Sequence, residues 1–543
     1  MNPTTRRRFL GTTALLGAAS ATGVAGVTTA AAQGRGPADT DAGQLIVPSS
    51  VQYEDLSRGV NQRWAGTPDW IRVPRTTGQV VAAVQQAVDS GRRIAVRGGG
   101  HCFEDFVSGR DVRAVIDLSA LDSVAHDTRL RALAVGAGAR LGQVNAQLFK
   151  RWGVALPAGS CPTVGVGGHI SGGGYGPLNR LHGLTVDHLH AVEVVVVDQS
   201  GTARAVVATR EKDDPRRDLW WAHTGGGGGN FGVATRYWFR SPGAEGTDAG
   251  RLLPAPPKEL LVSSVVWPWD ALDARSFSRL LRNYSAWHVA HNGANDPESD
   301  LYSHLAVFHR SGDAVALNVQ LSTQHGNPEQ RLGRFLTEVG EGVGVKPKTV
   351  EHSRLPWLLS TQWPGFADRP TAKRIKGKSA YHRRAFDERQ AAALHQHLTR
   401  TDYTHPGSGV LIAPYGGQVN TVAADATALA HRDSALILMY ISEWTDPAED
   451  ERHIGFLRDL YEEVYAPTGG VPVPDAATGG AYINYPDTDL RDAARNRSRT
   501  GWQELYYGGN YPRLQRVKGR WDPRDVFRHA LSVEPPTARG GRQ

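Results

Sequence analysis

Cysteine is almost absent from this sequence. Cys102 and Cys161 are the only two cysteines among its 543 residues. Two cysteines cannot build the several cross-links of a disulfide scaffold, and they cannot close a four-thiolate zinc site. The residues alone leave a single disulfide between them open.

Motifs for several common partners are missing as well. No GxGxxG segment stands between a predicted strand and a predicted helix, so a dinucleotide-binding Rossmann domain is disfavoured. The histidines lack metal-ligand spacing, and we interpret His169, His182, His188 and His190 as scaffold or pocket lining. The net charge is +7, but basic runs such as Arg495–Arg499 contain no aromatic residues, which indicates a solvated surface rather than a nucleic-acid site.

The N-terminal segment resembles an export signal. Thr5-Arg-Arg-Arg-Phe-Leu10 precedes an apolar, small-residue run from Thr12 to Ala32 that ends in three alanines. This pattern is typical of a twin-arginine signal cleaved near Ala32, and its alanine, glycine and threonine content argues against a membrane anchor. We therefore predict that residues 1–32 are removed, that residues 33–50 are a flexible lead-in, and that the mature protein is secreted and has no membrane span.

Two glycine-rich loops carry the reactive side chains. Arg97-Gly-Gly-Gly-His-Cys-Phe103 follows a predicted strand, and the segment 159–168 contains Cys161 before a run of glycines. Glycine lets the backbone approach a flat or anionic ligand closely, so the two loops together predict one large cofactor between them. Nucleophilic catalysis by a Cys–His pair is the alternative, but it leaves the five glycines of Gly225–Gly229 unexplained.

Hydrophobic periodicity predicts an α+β protein of two domains. A helix around 80–88 alternates with short strands at 94–97 and 114–118, and a nearly continuous apolar strand follows at 191–198. Proline, glycine and alanine become frequent around 241–257, which indicates a domain boundary. The predicted parts are a first domain over 51–243, a second domain over 244–495 with a mostly antiparallel sheet backed by helices, a C-terminal segment over 496–533 that returns to the first domain, and a tail over 534–543.

Motifs distributed along the chain resemble the berberine bridge enzyme family. They are the RGGGH loop at 97–101, the glycine-rich segment 161–176, the segments 218–223 and 225–233, and Tyr507–Leu514 followed by Asp522-Pro523. They stand in the family's order from about Val51 to Val533. The resemblance implies a PCMH-type FAD-binding domain of two α/β subdomains, as in the vanillyl-alcohol-oxidase superfamily, followed by a substrate-binding domain.

The same resemblance implies FAD joined to the protein by two covalent bonds. His101 matches the histidine bonded to the flavin 8α-methyl group, and Cys161 matches the cysteine bonded to C6. A cysteine bonded to flavin cannot also pair with Cys102, so the resemblance favours the linkage over the disulfide, and it implies no metal. The residues implied to hold or line the FAD site are Arg97, Gly98, Gly99, Gly100, His101, Cys102, Cys161, Gly165, Val166, Gly168, Gly173, Gly174, Val233, Asn510 and Tyr511.

Catalysis in the family depends on a tyrosinate that takes the proton of the substrate hydroxyl. Tyr485 matches that residue, and Lys378 is a candidate cation to lower its pKa from the ordinary value of about 10. Where the family resemblance leads us to expect a second catalytic tyrosine, this chain has Ala413. Tyr415 is the candidate substitute; without it, the resemblance implies a single two-electron oxidation.

The activity expected from these features is that of a secreted FAD-linked oxidase. We expect it to oxidise a secondary alcohol on the sugar of a glycosylated natural product of polyketide or anthracycline type. Oxygen is the expected acceptor, giving hydrogen peroxide, because the family associates the residue type of Val166 with oxygen access.

The alternative substrate is the anomeric carbon of a free oligosaccharide, which an open groove lined by Trp287, Trp357 and Trp363 would favour. A non-catalytic flavin-fold binding protein is the alternative of another class, and we expect a monomer or weak homo-oligomer.

Overall fold

Three β-sheets form the framework of the protein, whose computed structural model describes residues 41–367 and 372–536. The predicted export signal, residues 33–40 of the predicted lead-in and the end of the tail lie outside these residues. Within them, no helix has the length and apolar character needed to cross a membrane.

The first sheet has four strands in the order β1-β2-β4-β3. The strands are β1 (Gln44–Ile46), β2 (Trp70–Val73), β3 (Ile94–Arg97) and β4 (Ala114–Asp117). Strands β2, β3 and β4 run parallel, and β1 pairs antiparallel with β2. Strand β1 lies inside the segment that the sequence analysis assigns to a flexible lead-in. It is ordered because Ile46 is buried and its backbone pairs with Ile71.

The second sheet has five antiparallel strands in the order β5-β6-β9-β7-β8. They are β5 (Val124–Asp127), β6 (Ala132–Gly136), β7 (Leu189–Val197), β8 (Ala203–Thr209) and β9 (Val233–Phe239). Eight of the nine residues of β7 are buried, as its continuous apolar sequence predicts for a strand covered on both faces.

The third sheet has seven strands, and all its pairs are antiparallel, in the order β13-β10-β12-β11-β15-β16-β14. The strands are β10 (Glu259–Pro268), β11 (Tyr302–Phe308), β12 (Ala314–Ser322), β13 (Lys348–Pro356), β14 (Arg374–His382), β15 (Ser408–Pro414) and β16 (Leu436–Trp444). This confirms the predicted antiparallel sheet of the substrate half. Strand β14 has no apolar alternation because two lysines occupy buried positions within it.

The helices cover the sheets. They are α1 (Tyr53–Ser57), α2 (Thr77–Asp89), α3 (Leu141–Trp152), α4 (Val166–Ser171), α5 (Asn179–His182), α6 (Arg217–Ala222), α7 (Ala274–Ala290), α8 (Pro328–Gly340), α9 (Trp357–Ser360), α10 (Glu388–Leu398), α11 (Asp450–Val464), α12 (Trp502–Tyr507) and α13 (Tyr511–Trp521). Helices α7, α10 and α11 pack side by side, and α11 rests on β14 and β16. Residues of β11, β12, β15 and β16 line a cavity together with residues of the other two sheets.

A buried lysine fixes the C-terminal segment to the first half of the chain. Lys518 of α13 is fully buried, and its ammonium lies 2.6 Å from Asp522 Oδ2, within the same segment. It also donates to the backbone carbonyl of Asn230, at 2.9 Å, at the end of the five-glycine run. Nearby, the backbone N–H of Val533 donates to Asn230 Oδ1. These contacts hold residues 518–533 against the glycine run.

We expect Lys518→Met to destabilise the protein by about 3–5 kcal/mol, because the Asp522 carboxylate is left buried without its cation. Urea and thermal unfolding, each followed by circular dichroism, measure the loss. Arg516→Met on the exposed side of the same helix is the matched control, expected to change stability by no more than about 0.5 kcal/mol. Equal unfolding midpoints for the two variants would contradict the assignment.

Candidate active site

A cavity of about 580 Å³ is lined by residues of all three sheets. The two glycine-rich loops form one wall, and β11, β12, β15 and β16 of the third sheet contribute another. The segment 482–486 and the C-terminal residues 527–529 complete the lining. A cavity of this size is typical of a site for a cofactor and a small molecule.

The two glycine-rich loops touch each other directly. A Cβ atom on Gly99 would lie 2.2 Å from the backbone nitrogen of Gly165, and one on Gly165 would lie 2.1 Å from the nitrogen of Gly99. No side chain fits between two backbones at that separation, so both positions require glycine. Gly168 differs, since nothing lies within 4 Å of its Cβ position, and it lines the cavity.

This contact brings His101 and Cys161 to the same end of the cavity. Thr163 Oγ1 lies 3.0 Å from His101 Nε2 and 3.4 Å from Cys161 Sγ. Burial, with the positive charge of Arg140, lowers the pKa of His101 to about 4, so the imidazole is neutral near pH 7. Both cysteines are free, which excludes the Cys102–Cys161 disulfide here. Burial raises the pKa of Cys102 to about 12, so its thiol stays protonated.

A pair of tyrosines faces the cavity. The hydroxyl oxygens of Tyr485 and Tyr175 lie 2.6 Å apart. The Tyr485 ring is parallel to Phe103 of the first glycine-rich loop, with 5.9 Å between ring centroids. Burial raises the pKa of Tyr485 well above its ordinary value, and Tyr175 and Cys161 raise it further. The free protein therefore holds Tyr485 as a neutral phenol.

An ion cluster includes two aspartates that follow Tyr485 closely in the sequence. It consists of Glu104, Lys376, Lys378, Arg458, Asp487 and Asp489. Lys376 Nζ lies 2.9 Å from Glu104 and 2.7 Å from Asp487, and Lys378 Nζ lies 2.7 Å from both aspartates. Although burial acts in the opposite direction, the charges of Lys378, Arg458 and Lys376 hold the pKa of Asp489 far below its usual range. The cluster joins the first glycine-rich loop, strand β14 and the Tyr485 segment.

The sheet side of the cavity has a polar part and an apolar part. Tyr302 and His304 of β11 both line it, and their side chains hydrogen-bond at 2.9 Å between Oη and Nε2. Burial lowers the pKa of His304 to about 4, so this imidazole is also neutral near pH 7. Leu411, Ala413 and Met439 provide the apolar surface next to the pair.

Comparison with known proteins identifies this arrangement. The family profile described as "FAD binding domain" matches residues 68–205, and the profile "Berberine and berberine like" matches residues 481–534. The chain is 48% identical to the aclacinomycin-N/aclacinomycin-A oxidase of Streptomyces galilaeus, over 99% of both chains. It belongs to the berberine bridge enzyme-like family of FAD-linked oxidoreductases.

Solved structures of the family agree with the fold. The crystal structure of a glycopeptide hexose oxidase complexed with teicoplanin is 43% identical, with a TM-score of 0.86 over 90% of this chain and 98% of that one. Glucooligosaccharide oxidase, whose FAD is described as 6-S-cysteinyl, 8α-N1-histidyl, is 24% identical, with a TM-score of 0.74 over 91% and 98%. The second likeness concerns the fold alone.

The cavity of this berberine bridge enzyme-like protein suits FAD. The predicted site residues that line it are Arg97, Gly98, Gly99, Gly100, His101, Cys102, Cys161, Gly165, Gly168 and Tyr485. The open space above Gly168 leaves room for a ring system against the backbone. Among these residues, His101 and Cys161 share Thr163 as a hydrogen-bond partner and face a common volume.

Other predicted cofactor residues lie outside the cavity lining. Val166 and Val233 are fully buried in the core. A Cβ on Gly173 would meet Leu429, and one on Gly174 would meet Thr185, so these glycines serve close packing between segments. The Asn510 amide donates to backbone carbonyls of residues 424, 427 and 428, and the Tyr511 hydroxyl accepts from the backbone of Glu534. Asn510 and Tyr511 thus anchor chain segments.

Tyr415 and Lys378, predicted as a second catalytic tyrosine and as a cation near Tyr485, do not line the cavity either. Tyr415 is 1% exposed and packs edge-on against Tyr381 with 5.0 Å between ring centroids. Lys378 is buried in the ion cluster. Its ammonium bonds to Asp487 and Asp489, so it acts on the Tyr485 segment through these aspartates.

Sequence reasoning missed several residues of the site. Thr163 and Tyr175 lie within the segment that carries the family resemblance, but no spacing rule marks them as partners of His101 and Tyr485. Tyr302 and His304 occupy alternate positions of one strand, a signal that could have placed both on the cavity face. Glu104 follows the first glycine-rich loop, and its partners come from distant parts of the chain.

Two variants distinguish a glycine that the packing of the loops requires from a glycine that leaves room for the cofactor. We expect Gly99→Ala to prevent correct folding of the loops, because its Cβ would collide with the Gly165 backbone. We expect Gly168→Ala to fold with an unchanged melting temperature but to retain less FAD, because its methyl group enters the cavity. Melting temperature and flavin-to-protein absorbance ratio measure the two effects. Full flavin content in Gly168→Ala would show that the cofactor lies elsewhere.

Proposed function

We propose that this protein is a secreted oxidase that converts a secondary alcohol, on the sugar of a glycosylated natural product, to a ketone. FAD is joined to His101 and Cys161, and oxygen is the acceptor that gives hydrogen peroxide. The observation that carries the proposal is the placement of the Tyr485–Tyr175 pair in the same cavity as His101 and Cys161.

The double linkage is supported by the position of the two nucleophiles. His101 and Cys161 share Thr163 as a hydrogen-bond partner, so both can reach neighbouring positions on one ring. Glucooligosaccharide oxidase carries this pair of linkages, to a cysteine and a histidine. When bound, FAD supplies the acceptor for the hydride of the substrate carbon, and oxygen then removes the two electrons.

Tyr485 is the proposed base for the substrate hydroxyl. Its proton must leave before it can accept another, and the Tyr175 hydroxyl, at 2.6 Å, can donate a hydrogen bond to the resulting tyrosinate. Cys161 raises the pKa of Tyr485 in the free protein. A thioether sulfur, bonded to the flavin as well as to Cβ, carries no negative charge, so attachment of the cofactor would remove that contribution and favour the tyrosinate.

The residues of the third sheet that line the cavity favour a glycoside over a free oligosaccharide as substrate. Tyr302 and His304 offer hydrogen bonds for sugar hydroxyls, and Leu411, Met439 and Phe366 offer an apolar surface for an aglycone. The tryptophans that an oligosaccharide groove would use, Trp287, Trp357 and Trp363, are at most 8% exposed and pack in the core. The names of the 48% and 43% identical relatives, aclacinomycin oxidase and a hexose oxidase of glycopeptides, support the same substrate class.

A single two-electron oxidation fits the residues near the base. Ala413 lines the cavity where the family resemblance predicts a second tyrosine, and Tyr415 is buried outside the lining. The proposed product is therefore the ketone, without a second dehydrogenation.

A substrate panel tests the proposal directly. The purified protein is mixed without oxygen with a glycosylated polyketide, its aglycone, its free sugar and a set of oligosaccharides, and loss of the flavin absorbance band is followed. We expect bleaching with the glycoside and peroxide release when oxygen is admitted. Bleaching by oligosaccharides alone supports the alternative substrate, and no bleaching at all supports the non-catalytic alternative.

Tyr485→Phe should lower kcat by about 10³-fold, because it removes the general base. Tyr175→Phe keeps the base and loses one hydrogen bond, so we expect a smaller loss of about tenfold.

Because the pKa of Tyr485 is raised, the protonated, inactive form dominates near pH 7, and kcat/KM of the wild type should rise toward alkaline pH. Steady-state peroxide assays from pH 6 to 10 measure this. Unchanged turnover in Tyr485→Phe would assign the base to another residue.

A further inference from the structure

Thr163 forms side-chain hydrogen bonds to both predicted attachment residues. Its hydroxyl oxygen lies 3.0 Å from His101 Nε2 and 3.4 Å from Cys161 Sγ. A hydroxyl can accept one hydrogen bond while it donates another, so Thr163 can connect the two nucleophiles in a single chain. Neither the catalytic proposal for Tyr485 nor the packing of the glycine-rich loops uses this hydroxyl.

We propose that Thr163 is the positioning residue for cofactor attachment, orienting His101 and Cys161 and setting where their protons reside. This inference rests on the proposed double linkage. In the proposed arrangement, His101 Nε2–H donates to Thr163 Oγ1, and the Thr163 hydroxyl hydrogen points to Cys161 Sγ. Each nucleophilic atom then presents a lone pair to the cavity.

We assign the hydrogen of the neutral ring to Nε2, because the Thr163 hydroxyl can accept from Nε2–H at 3.0 Å while it donates toward Cys161 Sγ at 3.4 Å. In the neutral imidazole the other nitrogen, Nδ1, is then free of hydrogen and nucleophilic. Burial and Arg140, which lower the pKa of His101 to about 4, keep the ring in this neutral form.

The loop contact fixes Thr163 in place. Its carbonyl oxygen lies 2.9 Å from the position of a Cβ on Gly99, so the second loop sits against the first at this residue. Thr163 is β-branched, which restricts its side chain to few rotamers. A hydroxyl held in this way can define the distance between the histidine ring and the cysteine sulfur before the cofactor is attached.

Each attachment is an oxidation whose atoms and electrons balance. A C–H bond of the flavin is replaced by a C–N bond to His101 or a C–S bond to Cys161. The hydrogen of that carbon and the hydrogen of the nucleophile leave as two protons, and two electrons remain on the ring system. Molecular oxygen removes these electrons and the protons as one hydrogen peroxide per bond. Thr163 contributes at His101 by receiving the Nε2 proton, while it donates its own hydrogen toward Cys161 Sγ.

The test compares Thr163→Val, which keeps the shape and loses the hydroxyl, with Thr163→Ser, which keeps the hydroxyl. The full-length proteins are purified with the FAD they acquire in the cell, denatured, and their intact masses recorded for chains with zero, one or two bonds to flavin. We expect the doubly bonded fraction to fall about tenfold or more in Thr163→Val and to stay within about twofold of the wild type in Thr163→Ser.

The outcomes separate the two proposals. A doubly bonded wild type with an equally bonded Thr163→Val would overturn the role of Thr163 and leave the linkage standing. A wild type without any covalent flavin would overturn the proposed linkage and the role of Thr163 with it. Should Thr163→Val fail to fold, Thr163→Ala serves in its place. His101→Ala and Cys161→Ala are the controls that define the mass of each singly bonded form.

Discussion

The buried ion cluster behind Tyr485 is the interaction on which the site depends. Its cations are Lys376, Lys378 and Arg458, and its anions are Glu104, Asp487 and Asp489, so the formal charges balance. A buried charge that loses its partner costs several kcal/mol, so these groups must stay together. Glu104 directly follows the first glycine-rich loop, the lysines lie in strand β14, Arg458 lies in helix α11, and the aspartates lie in the segment that carries Tyr485. The cluster therefore fixes Tyr485, the proposed base, relative to the first glycine-rich loop and to the third sheet.

Contact between the two glycine-rich loops is the second constraint. Gly99 and Gly165 meet at distances that exclude any side chain, and this close approach places His101 and Cys161 beside one threonine. Glycine in these loops thus has two separate uses. At 99 and 165 it allows backbone to meet backbone, whereas at 168 it leaves room in the cavity. From the sequence alone, we expect the glycines at all three positions to allow close approach of a ligand.

Much of the fold could be predicted because its elements obey simple periodicity. Strand β3 has the predicted bounds, and the apolar strand β7 is buried as its sequence requires. Two strands of the third sheet did not follow the pattern. Strand β13 is an exposed edge strand of mainly polar residues, and β14 contains the lysines of the ion cluster. Strand β1 was missed because three residues are too few to show a period.

The sequence by itself determined the family and the cofactor class, and it predicted His101, Cys161 and Tyr485 as the reactive residues, because all of these depend on local motifs that can be read without the fold. Only the tertiary structure decided their partners. Thr163, Tyr175 and the ion cluster act on these residues through contacts between segments as much as 384 residues apart, as Glu104 and Thr488 are. It also placed Asn510, Tyr511 and Tyr415 outside the cavity lining. A side chain's direction and burial depend on the packing of distant segments, which no local pattern of residues encodes.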